Sequence, residues 1–71
     1  METFAEVIVP LALKGTLTYR VPEEMAGRLE PGMRVTVPLG KSKHYTGMVR
    51  EIHERAPQDF TPKVLEGLGR V

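Results

Sequence analysis

The chain has 71 residues, enough for one small domain that buries about 60% of the surface its unfolded form exposes. It holds no cysteine, which excludes disulfides and thiolate zinc sites and fits a reducing compartment. Ten basic and nine acidic residues leave a formal charge of +1, so any nucleic-acid binding must come from a local patch rather than a basic coat.

No apolar run reaches the length of a membrane span, and no basic stretch followed by an apolar core opens the chain; we expect a soluble, cytoplasmic protein with no membrane partner. His44 and His53 have no carboxylate or cysteine at a recognised ligand spacing and read as surface residues. Only four aromatics are present (Phe4, Tyr19, Tyr45 and Phe60), too few for a multi-base stacking platform.

Phe4 to Val9 is the first predicted strand, with Ala5, Val7, Val9 and Leu11 facing inward and Glu6 marking the wet side. Pro10 ends the ladder, and Lys14-Gly15 signals a turn. Thr16 to Val21 follows as a second strand, with Leu17, Tyr19 and Val21 on its apolar face and Thr18 and Arg20 on its polar one. Residues 22–29 read as a short helical turn: Pro22 suits a first helical position, Glu23 and Glu24 favour its positive end, and Met25 and Leu29 stack at i, i+4.

Pro31-Gly32 predicts a type II turn with a positive φ at the glycine. A third strand then runs from Met33 to Leu39, with Val35, Val37 and Leu39 alternating against Arg34 and Thr36. The fourth runs from Tyr45 to His53. Tyr45, Gly47 and Val49 share a parity that Ile52 breaks, so we expect a bulge near Arg50-Glu51 of the kind that bends a sheet into a barrel.

Between these two strands lies a tight loop with Gly40, Lys41, Lys43 and His44 and no acid. Its glycine admits close approach to the backbone and its lysines supply charge, so it suits a phosphate or nucleic-acid contact; it suits a solvated loop equally well. Glu54 to Pro62 is a loop without periodicity. Lys63 to Leu68 is ambiguous, and local rules lean to a helix started by Thr61-Pro62. Together these elements predict a mainly β fold, a small antiparallel OB/SH3-like partly open barrel with one short helical turn near residues 22–29.

Catalytic chemistry is missing. Ser42 and His44 lack an orienting acid in sequence, and no phosphate-binding glycine motif or nucleophile elbow occurs, so the chain reads as a binding module and not an enzyme.

The ordered set Val7-Ile8-Val9-Pro10-Leu11, Leu17-Thr18-Tyr19-Arg20-Val21-Pro22, Gly32 to Lys41 and Gly47-Met48-Val49 resembles the N-terminal 3′-DNA-end-binding domain of primosomal protein N-prime, the bacterial replication-restart helicase PriA. The resemblance extends to about Leu68. It implies that residues 1–71 are one domain cut from a larger ATP-dependent helicase, and that this domain recognises the 3′ end of nascent leading strands at stalled forks. ATP, magnesium and zinc would then belong to the missing domains, with no cofactor in this one. The implied partners are the DNA 3′ end, the remaining domains, and other primosome and single-strand-binding proteins.

The family's terminal-nucleotide pocket maps onto Leu17, Thr18, Gly40 and Lys63. Gly40 and Lys63 keep the family's residue type; Leu17 replaces an aromatic and Thr18 an aspartate. Leu17 would meet the base face, Thr18 and Gly40 the terminal sugar and base, and Lys63 the base or adjacent phosphate. Lys41 and Lys43 would steer the backbone. The resemblance also favours a strand over a helix for residues 63–68. Two other classes remain open on residues alone: an interaction barrel using Tyr45 and Met48, and a general RNA or single-strand binder using Lys41, Lys43 and Arg50.

Overall fold

Alternating apolar and polar residues lay out five strands in the computed structural model, which describes residues 2–11 and 15–68. They are β1 (Thr3–Ile8), β2 (Leu17–Val21), β3 (Arg34–Leu39), β4 (Lys43–His53) and β5 (Gly67–Leu68), with one helical turn, α1 (Glu23–Ala26), after β2. The sheet order is β2-β1-β4-β3-β5, and every paired neighbour is antiparallel. Lys14 lies outside the described residues, so only Gly15 of the expected turn can be placed; its φ is 80°.

The last segment joins the two edges of this sheet. Arg20 N–H donates to Lys63 O at 2.8 Å and Leu65 N–H to Arg20 O at 2.9 Å, a parallel bridge along the free edge of β2. One residue later, Glu66 N–H donates to Thr36 O on β3 at 2.9 Å, and β5 continues beside β3. A small OB-like barrel results, partly open because so few bonds close it.

The extended conformation of residues 63–68 overrides their local lean to helix. A helix this short is marginal in water, whereas two unpaired sheet edges offer donors and acceptors along their length. The segment also places Leu65 in the core, with Val64 and Glu66 outside.

Ala5, Val7, Tyr19, Val21, Val35, Val37 and Val49 fill the barrel, and Met25 and Leu29 close one end. Leu29 N–H donates to Met25 O at 3.0 Å, which stacks these two side chains as their spacing predicts. Pro22 sits at the N-cap, one place earlier than expected. The Glu30–Met33 turn has its bond from Met33 N–H to Glu30 O at 3.2 Å and φ of 95° at Gly32, as a type II turn requires.

The bulge falls where parity breaks. Glu6 pairs with Glu51 and Val7 with Val49, leaving Arg50 as the extra residue and returning Ile52 to the core side. Leu11 is not inward but exposed. Its N–H donates to Val9 O at 2.8 Å, a three-residue turn about Pro10 that swings the chain off the β1 direction.

The outer face of β1 is not wet. Phe4 is buried and stacks on His53 with ring centroids 6.0 Å apart, and it shares a groove with Ala56 and Pro57 of the returning loop. The side chains of Glu6 and His53 are only 19% and 8% exposed, against the expectation of a solvated Glu6 and a surface His53. Curling the sheet and laying residues 54–62 over it shelters the Phe4–Glu6 part of that face, while Ile8 at its end stays exposed. No helix among the described residues is long and apolar enough to cross a membrane.

Candidate nucleic-acid interface

Three separate segments meet at one rim of the barrel: the start of β2, the end of β3 with its following turn, and residues 60–63. Tyr19 ties the first two, its hydroxyl donating to Pro38 O at 2.8 Å; burial also pushes this phenol up from its ordinary pKa. Lys63 ties the last two, its Nζ donating to Gly40 O at 2.9 Å while its own carbonyl is held by Arg20. Gly40 has φ of 74°, a left-handed turn conformation, and a Cβ there would meet only open space. The glycine therefore serves the turn that starts β4.

A cavity of about 400 Å³ opens between these segments. Leu17 and Thr18 line it from β2, Leu39 from β3, and Phe60, Pro62 and Lys63 from the last segment. Three of the expected site residues, Leu17, Thr18 and Lys63, thus share one cavity, and Gly40 joins them through the Lys63 bond. Lys41 and Lys43 do not line it; they are exposed on the adjoining turn and first position of β4. Tyr45 is half-buried against the core rather than free, which leaves Met48 as the exposed member of the pair expected for an interaction barrel.

Charge around the cavity is more balanced than the sequence implies. His44 Nε2 lies 2.9 Å from a carboxylate oxygen of Glu66, so the basic turn faces an acid, and His44 has the acidic neighbour that the local sequence lacks. Ser42 and His44 are both exposed on this side of the barrel.

Thr18 is the best-defined polar group. Its hydroxyl donates to the Glu6 carboxylate at 2.8 and 2.9 Å, and Thr16 donates to the same carboxylate at 2.8 Å. His53 Nε2 stands 2.7 Å from the other side of that group. A hydroxyl has one proton, so Thr18 keeps only acceptor lone pairs for anything outside. Burial pushes the Glu6 carboxyl up, but the hydrogen bonds from His53, Thr18 and Thr16 and the charge of His53 outweigh it, leaving Glu6 below its ordinary 4.5.

A carboxyl depressed by folding stabilises the protein fully above its unfolded pKa and loses that contribution as pH falls through the folded value. The urea midpoint should therefore drop on acidification from about pH 6 to about pH 3, and drop less in Glu6→Gln. Equal losses in the two proteins would mean that the buried network carries no linkage.

Residue patterning missed four participants. Glu6 and His53 were hidden by their polarity, although Glu6 directly opposes Thr18 across the β1–β2 ladder. Tyr19 reads as core in sequence, which does not reveal its bond to Pro38. Phe60 sits in a loop with no periodicity and gave no signal.

No curated protein and no solved structure matches the chain. A family model does, over residues 6–68, and its description is the 3′ DNA-binding domain (3′BD). The match includes β2, the β3–β4 turn and Lys63, and so the whole of the cavity described above. The chain belongs to the 3′ DNA-binding domain family of PriA.

Proposed function

We propose that the cavity receives the terminal nucleotide of a nascent leading strand at a stalled replication fork. In this reading the barrel is the DNA-end-binding module of a longer ATP-dependent helicase that restarts replication in the bacterial cytoplasm. The observation that carries it is the Lys63–Gly40 bond beside a cavity within the family-matched span. Lys63 spends one of its three donors on Gly40 O and keeps two for the base or the adjacent phosphate. Leu17 meets the base face. Lys41 and Lys43, exposed on the adjoining turn, steer the backbone through their charge.

Thr18 reads the end. Its proton is held by Glu6, so it accepts from a free 3′-hydroxyl and has nothing to donate to a 3′-phosphate. A terminal phosphate would also bring negative charge toward the Glu6 carboxylate. The barrel needs no cofactor for this; ATP, magnesium and zinc serve other domains of the longer protein. Those domains, other primosome proteins and single-strand-binding proteins are its partners.

The test is fluorescence anisotropy at one fixed salt concentration, with short single strands ending in a 3′-hydroxyl or a 3′-phosphate. We expect the hydroxyl strand to bind about tenfold more tightly, the upper end of what one neutral hydrogen bond contributes together with the repulsion of a terminal phosphate by Glu6. Equal binding would leave a general nucleic-acid barrel.

A further inference from the structure

We infer that Phe60 is the platform on which the base of the terminal nucleotide stacks, an inference that rests on the DNA-end reading above. Two residues lining the cavity carry aromatic rings, Tyr19 and Phe60. Tyr19 is 3% exposed and its hydroxyl is committed to Pro38 O, so it presents no free face. Phe60 is 54% exposed. Leu17 offers the base apolar contact but no π surface.

Phe60 shares the cavity with Leu17, Leu39 and Pro62, so its open face continues an apolar lining and gains from a partner with an apolar face of its own. The partner chemistry is set by its neighbour. Lys63 lines the same cavity from three positions further along, and a cation beside an exposed ring suits a group that is flat and aromatic on one side and anionic on the other. A nucleotide has both. Pro57 and Pro62 flank the segment and restrict the backbone at its two ends. The cavity's volume of about 400 Å³ is enough to admit one nucleotide. Stacking on Phe60 would make binding sensitive to the presence of a terminal base and tolerant of its identity, because every base has a π face.

The test compares strands of equal length that end in a thymidine or in an abasic sugar, both with a free 3′-hydroxyl. Phe60→Ala should weaken binding of the thymidine strand about tenfold and leave the abasic strand unchanged, while the wild type should show a gap of at least that size between the two strands, since Leu17 and Lys63 also meet the base. The chain has no tryptophan, so Phe60→Trp provides a single reporter whose emission the thymidine strand should quench and the abasic strand should not. A loss in Phe60→Ala that is equal on both strands, or absent from both, overturns the stacking role. The hydroxyl-over-phosphate preference, measured in the same titrations, separates the two failures. If that preference persists without base coupling, Phe60 is not the platform and the end reading stands. If it is absent from the wild type, both fall.

Discussion

Gly47→Ala should bring the domain close to unfolding. We expect a loss of about 3 kcal/mol, the upper part of the usual range for overpacking a full core. Gly47 is buried on β4, and a Cβ built there would lie 2.5 Å from Val7 Cγ1 and 2.7 Å from Ile8 O. Neither neighbour can give way cheaply. Valine is stiff at χ1 and Val7 is fully buried, so rotating its methyl displaces the rest of the core. Ile8 O is backbone in a strand laddered to β4, so moving it means separating β1 from β4 where the bulge has just reset their register.

A single core of this size supplies only about 3–5 kcal/mol in total, which is why one methyl group can consume most of it. Gly67→Ala is the matched control: its Cβ meets nothing within 4 Å and its φ is not positive, so its urea midpoint should stay within about 0.5 kcal/mol of the wild type. If Gly47→Ala unfolds at the wild-type urea concentration, β1 and β4 are not in the close contact described.

The fold was legible wherever a signal was local. Two-residue alternation marks β1 to β4, Pro31-Gly32 marks its turn, and the lost parity at Ile52 locates the bulge at Arg50 because side-chain direction in a strand has no other way to slip. The outer face of β1 was not legible. Glu6 and His53 look solvated in sequence, and only the curl of the sheet and the return of residues 54–62 shelter them. Residues 63–68 failed for a related reason, since their structure is set by two edges supplied from elsewhere in the chain.

The cavity is the extreme case. It is assembled from β2, the end of β3 and residues 60–63, and no periodicity within any one of them points to the others. Leu17, Thr18, Gly40 and Lys63 were legible through resemblance to a family and not through their own chemistry. Phe60, which the resemblance does not mark, was legible through neither.

Lys63→Ala should lower affinity for a strand with a free 3′-hydroxyl by about tenfold or more, and should bring the hydroxyl-to-phosphate ratio close to one, because without this anchor the terminal nucleotide is no longer held against Thr18. The side chain is exposed and among the described residues bonds to Gly40 O alone, whereas the closure of the barrel uses the Lys63 backbone carbonyl, which alanine keeps. The variant should therefore fold, and an unchanged urea midpoint would establish that before binding is read. Two other lysines separate placement from charge. Lys41→Ala and Lys43→Ala each remove an exposed cation outside the cavity, so each should reduce the salt slope by about one ion and weaken both strands alike. Lys63→Arg keeps the charge but exchanges a compact ammonium for a planar fork that cannot sit against Gly40 O in the same way, so it should keep the salt slope and lose most of the end preference. If Lys63→Ala instead behaves like Lys41→Ala, with weaker binding and an intact ratio, Lys63 acts as one cation among several and the strand's end reaches Thr18 without it.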